Sequence, residues 1–136
     1  MIERHIDQIE LRCAEQRECL PADVNSSDIK AWILGVLQPH RLRQEAGAAL
    51  FAAAAINPAL LDGVRERYAE RVGRLTALNE HFALAAVIML AVDGLMLGEV
   101  WRVTPFTATQ RQQIVEQLLR LADAACGPTS VRESTP

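Results

Sequence analysis

The chain has 136 residues, half of them hydrophobic but only six aromatic, with a formal net charge of −3. That length suffices for one self-supporting domain without disulfide or metal staples. The acidic balance excludes a face built to grip a nucleic-acid backbone, which takes clustered basic residues. Alanine and leucine dominate and alternating β-branched runs are missing, so the predicted class is all-α with about six helices.

In chain order, Ile2, Ile6, Ile9, Cys13 and Leu20 fall at spacings of an amphipathic helix over 2–20, ended by Pro21 and a polar loop. A second helix is predicted over about 27–38. Ser26 or Ser27 is its cap, Asp28 sits at the positive end of its dipole, and Ile29, Trp32, Ile33, Val36 and Leu37 form its buried face. Pro39 separates it from a third helix over about 41–56, whose alanines let neighbours approach closely. Asn57-Pro58 is a strong start signal for a fourth helix to about 78, with Leu60, Val64, Tyr68, Val72 and Leu75 inward. Its basic stretch 65–71 is interleaved with acids and reads as a solvated face with local ion pairs.

The fifth helix, about 80–102, carries a run over 82–98 that is apolar except for Asp93. A membrane span needs about 20 such residues. This run is shorter and interrupted, so it is read as a helix enclosed by protein, with no membrane partner. Thr104-Pro105-Phe106 breaks it, and Thr107 with Gln110 has the spacing of a capping box for a sixth helix to about 125. Residues 1–126 are predicted as one domain and 127–136 as a disordered polar tail.

The fifth helix is apolar on more than one side, and the sixth has two adjacent apolar strips, Ile114, Leu118, Leu121 and Ala125 beside Val115, Leu119 and Ala122, with a polar other side. A lone copy covers one side of such a pair; a symmetry mate covers the other, as a four-helix bundle in a homodimer. Leu95, Val100, Ile114, Leu118 and Leu121 are the candidate dimer residues.

Catalytic motifs are missing: there is no HExxH, no GxSxG, no phosphate-cradling glycine loop and no ExxH pair. An enzyme would have to assemble a titratable set such as His5, Asp93 and Glu99 from distant segments. The three cysteines, Cys13, Cys19 and Cys126, have no metal spacing and are expected to stay reduced in a cytoplasm. No catalytic residue, metal site or cofactor is predicted. His81 and Asp93 lie about 18 Å apart along one helix axis and cannot act together within one chain.

Asp93 is the most informative polar residue, because an ionised carboxylate in apolar surroundings is costly unless paired. Two readings stand: a helix–helix or cross-dimer hydrogen bond, and a polar anchor at the wall of a ligand pocket. Trp32, Phe51, Tyr68, Phe82 and Met89 join Asp93 as candidate ligand-binding residues, since alanine-rich helices converging on a few large side chains can enclose a mostly apolar effector.

The run 82–97 with its Asp93-Gly94-Leu95 step, the proline loop, the Thr107 to Gln110 cap and the leucine-rich end at Leu118 to Leu121 resemble the C-terminal end of tetracycline-repressor-like (TetR-type) transcriptional regulators. The start at Asn57-Pro58 followed by Arg67-Tyr68 is similar to that family's mid-domain helix, and 1–6 looks like its connecting helix. The resemblance implies the effector-sensing and dimerising half of a repressor, in which a ligand among the middle helices shifts the connecting helix. The family's helix-turn-helix is not found in these residues, so DNA binding is expected only through such a domain outside them. The rival expectation is a stand-alone helical module that pairs with another regulator.

Overall fold

A computed structural model describes residues 2–20, 26–38 and 41–126, and the side chains within them except those of 2–6, 41–46 and 79. Pro21, the loop 22–25, Pro39, His40 and the tail 127–136 lie outside the described residues. Among those described there are six α-helices and no strand. They are α1 (Ile2–Glu18), α2 (Ser27–Leu37), α3 (Arg41–Ile56), α4 (Asp62–Thr76), α5 (Phe82–Val100) and α6 (Ala108–Ala125). Short 3₁₀ turns, Pro58–Leu61 and Asn79–His81, lead into α4 and α5.

The start signals act locally as their chemistry dictates. The Asn57 side chain accepts from Ala59 N at 3.3 Å, with Pro58 opening the turn. The capping box closes in both directions: Gln110 N donates to Thr107 Oγ1 at 3.2 Å and Thr107 N donates to Gln110 Oε1 at 3.0 Å. Ser26, expected to cap α2, makes no such bond; its hydroxyl donates instead to Asp123 of α6 at 2.6 Å. A tertiary partner outcompetes the local one because Lys30 also holds Asp123, at 2.7 Å.

The core gathers Ile33, Val36 and Leu37 of α2, Ala85, Ile88, Val92 and Leu95 of α5, and Leu118, Ala122 and Ala125 of α6. Alternate small and large side chains let these three helices interlock. Polar staples fasten α2 to α6 at both ends. Asp123 holds its N-terminus, and Arg111 donates to the Leu37 carbonyl at its C-terminus while pairing with Glu99 of α5. The Leu37 carbonyl is one of the helix-end acceptors that lack an intrahelical donor, so a half-buried guanidinium is a fitting cap.

Helix α1 lies on α2 with Cys13 against Gly35. The fourth helix is covered less than its periodicity suggests. None of its residues is fully buried, Leu60 before it is exposed, and Val64, Tyr68, Val72 and Leu75 are half-buried. It lies on the outside of the bundle, so its apolar stripe meets neighbours on one edge alone.

Helix α5 is long and apolar enough to cross a membrane by length and composition. It packs against α2, α3, α4 and α6 and carries the Glu99–Arg111 ion pair. Its end is a Schellman motif: Val103 N donates to Gly98 O at 2.9 Å and Arg102 N to Glu99 O at 3.1 Å, with Arg102 left-handed at φ 55°. A side chain there costs about 1 kcal/mol. Arg102→Gly is therefore expected to stabilise the fold by up to about 1 kcal/mol in urea denaturation; a loss of stability would show that the arginine head makes a compensating contact.

Candidate functional site

On α5, counted at about 100° per residue, Phe82, Met89 and Asp93 share one flank within about 40° of each other. Ile88, Val92 and Leu95 point into the core, and a third stripe of Ala83, Val87, Leu90, Ala91 and Gly94 points outward. The helix thus serves three clients: core, Asp93 flank and outer face.

On the Asp93 flank the chain assembles a polar cluster from three helices. Tyr68 of α4 and Arg71, almost one turn further along the same helix, lie near enough to the Asp93 carboxylate to act on its charge. The Arg71 guanidinium lies over the Trp32 ring of α2, 4.6 Å from its centroid, a cation–π contact worth about 0.5–2 kcal/mol. The indole N–H of Trp32 is buried with no hydrogen-bond partner among the described residues. On the far side of Trp32, its carbonyl accepts a long bond from Cys13 Sγ of α1 at 3.9 Å.

Burial dominates the electrostatics. It pushes the Asp93 carboxyl above the usual carboxylate range, against the opposing pull of Arg71 and of Tyr68. It raises the Tyr68 phenol, helped by the Asp93 charge, and lowers the Arg71 guanidinium despite that same charge. Across the bundle Asp123 is driven down by its bonds from Lys30 and Ser26.

These opposite shifts give opposite pH responses. A carboxyl raised in the folded state binds its proton more tightly there than when unfolded, so stability rises as pH falls through the raised value. The melting-temperature difference between wild type and Asp93→Asn should therefore move in favour of wild type from neutral pH toward about pH 4. For Asp123→Asn the difference should stay level down to about pH 4 and move against wild type only below it, where the contribution of a depressed carboxyl is lost as it protonates. Parallel curves for the two variants would contradict the opposite shifts.

Of the candidate ligand residues, Tyr68 and Asp93 lie near each other, and Trp32 is linked to them through Arg71, which lies over its ring. Met89 is buried on the same flank, 5% exposed. Phe82 starts α5, exposed and about 16 Å along the axis from Asp93. Phe51 of α3 lies elsewhere, edge-to-face with Trp101 at 5.8 Å and 74°. Of the candidate dimer residues, Leu95, Val100 and Leu118 are buried within the chain at 6, 8 and 4% exposed, and Ile114 and Leu121 are half-buried. Side chains already covered by their own chain leave little area for a partner. The bare apolar surface is instead on the outer stripe of α5, with Val87 56% and Leu90 60% exposed, and around the following loop at Trp101, Val103 and Phe106. The outer face of α6 is polar, carrying Gln112, Gln113, Glu116, Gln117 and Arg120.

Sequence reasoning missed Arg71, which it placed on a solvated face. Arg65 and Arg67 fit that description: Arg65 pairs with Asp62 at 2.7 Å, and Arg67 with Glu10 and Asp7 of α1. Arg71 differs because it falls three residues after Tyr68 and next to Val72, on the half-buried edge of α4. That register was the available signal. Asp93 lies near Tyr68 and Arg71 whereas Glu99 pairs with Arg111, and the side chain of His5 lies outside the described residues. Among the described residues no group of histidines, cysteines and acids could hold a metal ion.

The model of the family described as tetracyclin repressor-like, C-terminal domain, matches residues 29–123. The chain matches no curated protein and no solved structure significantly.

Proposed function

The chain belongs to the tetracyclin repressor-like C-terminal domain family, and from that membership we propose that it is the effector-sensing and dimerising domain of a cytoplasmic transcriptional repressor. The role is regulatory rather than catalytic. The ligand is a small, mostly apolar molecule, received where α4 meets Trp32 and the Asp93 flank of α5. DNA contact is assigned to a helix-turn-helix domain outside these residues.

The observation that carries the reading is the division of labour on α5. One flank half-buries the Asp93 carboxylate near Tyr68 and Arg71, while the outer stripe leaves Val87 and Leu90 bare. A second copy covers that stripe about a two-fold axis, with Ile114 and Leu121 of α6 as flanking contacts. Length supports a helix pairing of this kind, since α5 spans about 28 Å.

Helix α4 links the site to α1. Arg67 grips Glu10 and Asp7, while Tyr68 and Arg71 beside it grip the cluster. A ligand that favours one placement of α4 thereby favours one placement of α1, and the coupling is reciprocal.

Thermal melting against a panel of small apolar and amphipathic compounds tests the sensing role. At least one compound is expected to raise the melting temperature of wild type, and to do so less for Asp93→Ala. A panel-wide absence of stabilisers would favour the second reading, a stand-alone helical module pairing with another regulator through the bare stripe of α5.

A further inference from the structure

The loop between α5 and α6 borders a groove that belongs neither to the Asp93 flank nor to the outer stripe of α5. It measures about 750 Å³, within the range of roughly 300–1,000 Å³ for small-molecule sites. Val115 and Leu119 of α6 line it, half-buried and resting on the core. Phe106 adds an exposed aromatic face, and Ala108 leaves room beside it. Arg102 lines the same groove. We infer that the groove takes a small organic monocarboxylate, with its carboxylate on Arg102 and its apolar body on Phe106, Val115 and Leu119.

Pairing decides the sign of the ligand. Glu99, Arg102, Arg111 and Glu116 all line the groove. Glu99 and Arg111 neutralise each other, and Arg111 also donates to the Leu37 carbonyl. Glu116 accepts from Gln112 Nε2 at 3.1 Å. No hydrogen bond or ion pair among the described residues holds the Arg102 head. A guanidinium engages a carboxylate through two parallel hydrogen bonds, the strong form of such a contact. The backbone agrees: Arg102 keeps φ 55°, where glycine is less strained, so its charge is placed where the fold does not need it. Glu116 lies about 12 Å along the helix axis from Ala108. It repels a second anionic group at that end and so restricts the ligand to one carboxylate.

The groove is formed before any ligand arrives. The Thr104 methyl sits over Gly98, and Val103 N donates to Gly98 O at 2.9 Å, which fixes the loop that carries Arg102 and Phe106. Little ordering then remains for binding to impose. On α6, Ala108, Gln112, Val115 and Leu119 share one side, and Ile114 and Leu121 point about 140° away. A ligand here and a second copy at the seam therefore do not compete.

Isothermal titration calorimetry with three probes tests the assignment: 4-phenylbutanoate, its neutral amide 4-phenylbutanamide, and the diacid 4-(4-carboxyphenyl)butanoate. The monoacid is expected to bind at least about tenfold more tightly than the amide or the diacid. Arg102→Gln should lower its affinity about tenfold and leave the amide unchanged, and Arg102→Lys, which keeps the charge, should fall between. Ala108→Phe fills the groove from an exposed position and should abolish binding of the monoacid. Asp93→Asn should leave that binding unchanged. Circular dichroism checks each variant for its helices.

Equal affinity for monoacid and amide, or wild-type affinity in Arg102→Gln, would overturn the carboxylate assignment. A diacid that binds as tightly as the monoacid would overturn the restriction to one carboxylate. Binding lost in Asp93→Asn and kept in Ala108→Phe would move the ligand to the flank of α5 and overturn the groove as its site. Failure of the folded chain to bind the monoacid at millimolar concentration would overturn the proposal while leaving the sensing role of the Asp93 flank in place.

Discussion

Gly35→Ala is expected to destabilise the fold by about 3 kcal/mol, or about 10 °C in melting temperature. A Cβ on Gly35 would meet Cys13 Sγ at 2.6 Å and, more decisively, the Cys13 Cα and N at 2.8 Å. A side chain can swing away; the backbone of α1 can only withdraw as a body. That withdrawal opens the most extensive helix–helix contact among the described residues and loosens Trp32, whose carbonyl faces the same cysteine. Cys13→Ala should therefore fail to rescue Gly35→Ala, since it leaves the clashing backbone in place. The contrasting variant is Gly73→Ala on α4, where an added Cβ meets nothing within 4 Å. There the gain in helix propensity operates alone, and stability should rise by about 0.5–1 kcal/mol. Urea denaturation of the four chains reads both signs, and a mild effect at Gly35 would mean that α1 is not seated on α2 as described.

Leu90→Glu is expected to weaken self-association at least about 100-fold while sparing the monomer fold. Leu90 is 60% exposed within one chain, so a glutamate there meets water in the monomer and costs little. At a two-fold seam the change occurs twice, and each copy places an uncompensated charge against apolar surface. Two losses of about 1.5 kcal/mol each give the factor of 100. Leu95→Ala, by contrast, removes a side chain only 6% exposed. It should lower stability by about 2–4 kcal/mol through the cavity it leaves, without comparable loss of dimer affinity in the folded fraction. Light scattering of the eluting species distinguishes the two. A Leu90→Glu chain that still elutes as a dimer would place the seam elsewhere.

The helices were legible because their signals are local. Periodicity, Asn57-Pro58, the Thr107 and Gln110 box and the break before Phe106 are each satisfied within a few residues. What distant segments decide was less legible. Ser26 reads as a cap until Asp123 and Lys30 arrive from 97 residues away and from the next turn. Arg71 reads as one more surface cation until Trp32 and Asp93 are placed beside it. Asp93 stood out from sequence because a lone carboxylate in an apolar run demands a partner; the partner's identity required the fold. The surplus of apolar surface on α5 was also readable, but not its allocation. Nearly every side of α5 is apolar, so its pattern cannot say which stripe meets the core and which stays bare. Contacts with α2, α3, α4 and α6 make that choice, enclosing Leu95 and Val100 and leaving Val87 and Leu90 outside.

Sedimentation equilibrium of the unmodified chain at micromolar concentrations puts the account to its most direct trial. Two copies joined across the outer stripe of α5 would sediment at twice the 15.0 kDa chain mass. A single species at the chain mass over the whole concentration range would mean that Val87 and Leu90 stay in water, and the dimeric regulator described here would not stand.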